Sequence, residues 1–123
     1  MTKRVLDIGA CEFDNSKIRV LVEAAFDAKT VAAASAEDGW AALAEESFDL
    51  VLINRVIAAD GDDGLKLLKR IKADASLACL PVMLVSNFPQ AQAEAVAAGA
   101  EPGFGKAELD WAETRRKLEP FLG

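Results

Sequence analysis

Few side chains in this sequence are equipped for chemistry, and most of them stand where apolar runs end. Gly9-Ala10-Cys11 follows the first run, Asn54 ends the third, Ser86 ends the fourth and Lys106 ends the last. A carboxamide at position 54 has no anionic oxygen and is a poor ligand for a hard cation. Gly9 and Ala10 bring no side-chain oxygen at all. Asp7, Glu12 and Asp14 are the only acids near the first run. Asp7 interrupts that apolar run, so it needs a hydrogen-bonding partner or a place at the run's end. Histidine is absent, which removes imidazole-based triads, His-ligated zinc and a phosphohistidine role. The segment Asp60-Gly61-Asp62-Asp63 resembles the start of a calcium loop. It fails at Gly64 and Leu65, where an oxygen ligand and Gly belong, and reads instead as a helix start capped by Asp62 or Asp63.

These residues need a scaffold, and the patterning supplies one. Runs of β-branched and aliphatic residues at 4–9, 30–35, 49–54, 81–86 and, weakly, 102–106 read as strands. The third and fourth, Leu50-Val51-Leu52-Ile53 and Val82-Met83-Leu84-Val85, are apolar at every position, as in central strands of a sheet covered on both faces. Helical spacing links Ile18, Leu21, Val22 and Ala25, with Asp14 or Asn15 as cap. A short helix spans 41–46 after Asp38-Gly39, and a third carries Leu65, Leu68 and Ile71. A fourth, Ala-rich, occupies 89–98 with Pro89 in its first turn and Gly99 at its end. The last carries Trp111, Thr114, Leu118, Phe121 and Leu122, with Trp111 on the core stripe and Pro120 ending or kinking the final turn. The order β-α, five times over, predicts a five-stranded parallel sheet in order 2-1-3-4-5 with helices on both faces, over one domain, 1–123. Ligands of such sheets sit at the carboxyl ends of the strands, where Gly9, Ala10, Asn54, Ser86 and Lys106 fall.

Composition narrows the partners. The 14 Lys+Arg against 20 Asp+Glu leave a formal charge of -6, which disfavours direct binding to nucleic acid or to anionic membranes. No apolar stretch approaches the ~20 residues of a membrane span and no leader pattern opens the chain, so a cytoplasmic protein with two free thiols is expected. Cys11 and Cys79 fall at opposite ends of strands ~17 Å long, too far apart for a disulfide that needs its Cα atoms within ~7 Å.

In order and spacing, the chain resembles the receiver domain of bacterial two-component response regulators, the CheY-like superfamily. The resemblance rests on Lys3-Arg4-Val5-Leu6, Glu37-Asp38-Gly39 before Ala42-Leu43, Phe48 to Ile53, Asp63-Gly64-Leu65, Leu80 to Ser86, Ala98 to Glu101 and Phe104-Gly105-Lys106. It covers essentially the whole chain. The family phosphorylates an Asp ending strand 3, holds Mg²⁺ on an acidic pair after strand 1, and contacts the phosphoryl group with a Ser/Thr and a Lys. The resemblance therefore places Asn54 at the acceptor position, Gly9 and Ala10 at the acidic pair, and Ser86 and Lys106 at the retained pocket positions. Three further departures follow from the same comparison. The loop 55–63 is about two residues longer than usual, Gly103 replaces the aromatic that switches on activation, and Ala107 replaces the Pro after the Lys.

The expectation is a degenerate receiver: no enzyme, no metal, no cofactor, and protein partners met without phosphorylation. The face around helix 4, strand 5 and helix 5 would carry that contact or self-association, with Pro89, Gly103, Phe104 and Trp111, or else Trp40 would. Asn54 would hydrogen-bond Lys106; a backbone carbonyl, Glu12 or Asp14 are the other partners open to that Lys, and a swing into solvent is the alternative to all of them. Two rivals stand beside this reading: a receiver phosphorylated through displaced acids at Asp7, Glu12 or Asp14, and a small-anion or nucleotide sensor in the emptied pocket.

Overall fold

The computed structural model describes residues 2–123. Five parallel strands, β1 (Lys3–Ile8), β2 (Ala28–Ala33), β3 (Leu50–Asn54), β4 (Val82–Val85) and β5 (Glu101–Phe104), form one sheet in the order β2-β1-β3-β4-β5. The helices between them are α1 (Glu12–Ala25), α2 (Ala36–Glu45), α3 (Gly64–Ala73), α4 (Pro89–Ala97) and α5 (Ala112–Leu122), with a 3-10 turn at Lys106–Glu108. The expected fold class and strand order are those observed. No helix among the described residues is long and apolar enough to cross a membrane.

Strand alternation divides the core. Leu6, Ile8, Val51, Ile53 and Leu84 pack with Leu43, Leu68 and Ile71 under α2, α3 and α4. Val5, Leu50, Leu52, Met83 and Phe104 pack with Ile18, Val22, Leu118 and Leu122 under α1 and α5. β3 and β4 are buried throughout, which is why their sequences show no polar face. Asp7 shares the face of Val5, opposite Leu52 of β3 and Ala32 of β2.

Several boundaries differ from those expected, each for a local reason. β2 starts two residues earlier and ends at Ala33, because Ser35 is taken as the N-cap of α2, its hydroxyl accepting from the Asp38 N–H at 3.1 Å. α2 therefore starts at Ala36 and includes Asp38-Gly39. α1 begins behind Cys11, which makes no side-chain cap bond, and Asp14 and Asn15 lie inside the helix. Asp63 does cap α3, accepting from the Leu65 N–H at 3.0 Å. β5 ends at Phe104, so Lys106 belongs to the 3-10 turn and not to the strand. α5 runs past Pro120 to Leu122.

Candidate functional site

At the carboxyl ends of β1, β3 and β4 the backbone brings Gly9, Asn54 and Ser86 together, as the sequence implied. What packs against Gly9 was not foreseen. Residues 55–63 fold back over β1, with Ala58 N–H donating to the Gly9 carbonyl at 2.8 Å and Ile57 N–H to the Asp62 carbonyl at 2.8 Å. This drives Ile57, fully buried, against Gly9. Gly9 has φ of +83°, and a Cβ there would lie 2.5 Å from Ile57 Cδ1. Both the backbone conformation and the packing thus require glycine. The one signal for this was the apolar stretch Val56-Ile57-Ala58-Ala59 in a loop that ends in acids.

Asn54 is buried, and its Nδ2 donates to the Val56 carbonyl at 2.5 Å. The expected bond to Lys106 is not formed. Lys106 pairs instead with Asp14, Nζ to Oδ2 at 2.7 Å, and that bond holds the Asp14 carboxyl below the usual carboxylate range. Asp14 also accepts from Cys11 Sγ at 3.2 Å. The Ser86 hydroxyl accepts from Phe88 N–H at 3.2 Å at the start of α4. A cavity of about 160 Å³ remains, walled by Asn54, Arg55, Ser86, Asn87 and Lys106 among others.

The displaced acids do not converge. Glu12 is exposed, Asp14 is engaged by Lys106, and Asp7 lies on the α1 side of the sheet. Asp7 is 1% exposed; Asn15 Nδ2 donates to its Oδ2 at 2.7 Å, and Arg19 Nη2 donates to Asn15 Oδ1 at 3.2 Å. Asn15, expected as a helix cap, is the partner Asp7 required. Burial pushes the Asp7 carboxyl up to about 6, against the lowering by Asn15 and Lys106.

The expected partner face is also changed. Phe104 and Gly103 are buried. Gly103 N–H donates to Gln92 Oε1 at 3.0 Å and its carbonyl accepts from Lys117 Nζ at 2.8 Å. Gln92 Nε2 reaches the Leu84 carbonyl at 2.8 Å, so one amide of α4 braces β4 and β5. The reading of the sequence gave Gln92 no role. Trp111, expected in the core, is 52% exposed at the N-cap of α5. Trp40 is half-buried on the α2–α4 core, with Arg70 Cζ 3.9 Å from its ring centroid. Pro89 is exposed, and so are Cys11 and Cys79, both free.

No protein-family model matches the chain, and no curated protein matches it by sequence. Solved structures match it by shape. A sensor protein from Polaromonas sp. JS666 superposes with a TM-score of 0.83 at 14% identity, over 97% of this chain and 94% of that one. A response regulator from Thermotoga maritima gives 0.79 at 18% identity, over 98% of each. The signal receiver domain of a DNA-binding response regulator from Colwellia psychrerythraea 34H gives 0.79 at 24%, over 98% and 97%. The fold is that of a response-regulator receiver domain.

Receiver chemistry implies a divalent cation beside the end of β3, and the residues here do not fit one. Gly9 and Ala10 offer no side-chain oxygen, the Ile57 side chain packs over Gly9, and Asn54 turns its amide N–H₂ to Val56. Among the described residues no three Cys, Asp or Glu side chains are grouped to hold a metal ion.

Proposed function

We propose that this receiver fold works in bacterial, cytoplasmic signal transduction as a protein-interaction module that needs no phosphorylation and catalyses no reaction. The observation that carries this reading is the contact of Ile57 with Gly9, beside a neutral amide at position 54. A phosphoryl acceptor must be a carboxylate and the transfer needs a cation that neutralises oxygens on both sides. Here Ile57 packs against Gly9, position 54 is a neutral amide, and the Lys106 ammonium is held by Asp14. Incubation with Mg²⁺ and acetyl phosphate, followed by intact-mass measurement, tests it. The mass stays unchanged for the native chain and for Asn54→Asp; a gain of one phosphate on the native chain overturns the reading.

The exposed apolar surface supports a partner on a different face from the one expected. Phe13 at 67%, Val20 at 68% and Trp111 at 52% exposure line a continuous groove between α1 and the start of α5, with Leu21 and Leu109 at its floor. The main groove holds about 580 Å³. Its walls carry Lys17, Lys106 and Arg115 against Asp110 in a chain of charge -6. The complementary surface is an apolar ridge with acidic flanks, since a second copy would bring like charges together. A second reading, an anion sensor, is favoured by Arg55 and Lys106 at the wall of the 160 Å³ cavity. A thermal-shift series with phosphate and nucleotides separates the two.

A further inference from the structure

The sheet ends in two edge strands, and side chains from neighbouring helices engage the backbone of both. Along β2 the direction of each peptide follows from two bonds. Lys3 N–H donates to the Asp27 carbonyl at 2.9 Å, and Gly9 N–H donates to the Ala33 carbonyl at 2.8 Å. Residues 27, 29, 31 and 33 therefore turn their backbone groups to β1, while Ala28, Thr30 and Ala32 turn theirs outward. Of the three outward N–H groups, that of Ala28 donates to the Phe26 carbonyl at 2.9 Å. Thr30, the central one, donates to Glu23 Oε2 of α1 at 3.0 Å. Ala32 N–H has no partner among the described residues.

The opposite edge is engaged in the same way. Pro102 of β5 has no N–H. Gly103 N–H donates to Gln92 Oε1 at 3.0 Å, and the Gly103 carbonyl accepts from Lys117 Nζ at 2.8 Å. An edge strand with free N–H and C=O groups is a template for a strand of another chain, and β5 presents little of one. β2 presents more. It is six residues long, and two of its three outward residues are Ala28 and Ala32, whose side chains obstruct nothing. The Glu23 carboxylate stands at its centre.

We propose that Glu23 is a guard that keeps a second copy of this chain from adding its own β2 to this edge. Two such strands related by a two-fold axis run antiparallel and centre on Thr30. Each Thr30 N–H is then directed at the other copy's Thr30 carbonyl, and Ala32 lies opposite Ala28. The edge is thus complementary to itself, and its central rung needs the N–H that Glu23 holds. A carbonyl oxygen brought to that rung would meet the charged oxygen of Glu23, and a bond to a charged acceptor is among the stronger ones a backbone N–H makes. Glu23 does not line the groove between α1 and α5, so the guard stands whether or not that groove holds a partner.

Light scattering and amide exchange on the full chain test it, in the native protein, in Glu23→Ala and in Glu23→Gln. Glu23 is exposed on a helix and both replacements are good helix formers, so all three chains fold. In the native protein the Thr30 and Ala32 amides exchange at rates independent of concentration. In dilute Glu23→Ala the Thr30 amide exchanges about tenfold faster than in the native chain. On concentration the mass of Glu23→Ala rises to twice that of the native chain, and its Thr30 and Ala32 amides slow together. Glu23→Gln retains an accepting oxygen and keeps the native mass. A Glu23→Ala mass that stays native when concentrated, association that leaves its Thr30 and Ala32 amides exchanging as in dilute solution, or association of Glu23→Gln as strong as that of Glu23→Ala overturns the guard.

Discussion

Replacing Asp7 by Asn should stabilise the protein at neutral pH and do almost nothing at low pH. The carboxyl is 1% exposed and its pKa rises from the ordinary 3.8 to about 6, chiefly through burial. The folded chain therefore holds the proton more tightly than the unfolded chain. Stability from this group is fully present below about pH 3.8 and is lost as pH climbs through about 6. At about 1.4 kcal/mol per pH unit, the native chain gives up roughly 3 kcal/mol over that range. Asn keeps the shape and lets its oxygen accept from Asn15, while its Nδ2 stands where Oδ1 lacks a partner. The protonated acid leaves the same spot unanswered, so the two should match in acid. Urea unfolding at pH 4.5, 6 and 7.5 reads the difference. Asn is favoured by about 2–3 kcal/mol at pH 7.5, about 1–2 M in midpoint, and by little at pH 4.5. An effect of equal size at all three pH values, or a native stability that rises with pH between 4.5 and 7, refutes the account of Asp7 as a buried, reluctant anion.

Other substitutions address other parts of the fold. Gly9→Asp must place a side chain at φ +83° and against Ile57, costing about 2–5 kcal/mol. It should lower the thermal midpoint and gain no Mg²⁺ affinity by calorimetry, even combined with Asn54→Asp. Gly103→Ala drives a Cβ into the Leu84 carbonyl oxygen and the Gln92 amide, so urea unfolding should show a loss of about 3 kcal/mol. Arg70→Ala removes the cation over Trp40 and an exposed pair with Glu37, a loss of about 1 kcal/mol with a red shift in Trp40 emission. In Trp111→Phe, which leaves Trp40 as the only tryptophan, that shift is read without interference.

The scaffold was legible because its signals are one-dimensional. Two strands apolar at every position can only be central, and the residues that end them lie side by side once the strands are parallel. Side-chain destinations were less so. Asn15 has the sequence position of a helix cap, yet the helix starts earlier and Asn15 faces Asp7. Trp111 fits the periodicity of α5 but stands at its N-cap, where the stripe has not begun. Both depend on where a helix starts, which spacing constrains weakly.

Ile57 shows the same limit and bears most on function. Gly9, Ala10 and Asn54 read in sequence as three missing oxygens, a deficit that three substitutions could repair. In space the Ile57 side chain is pressed against a glycine whose conformation tolerates no other residue, and the loop carrying it is bonded to the Gly9 carbonyl. The site is therefore packed as well as neutral. Were carboxylates restored at 9, 10 and 54, the side chain at position 9 would still meet Ile57 Cδ1, 2.5 Å from where its Cβ must lie. Truncation of Ile57 together with those acids is the smallest change that could reopen the site, and restoring the acids alone should leave the chain unphosphorylated.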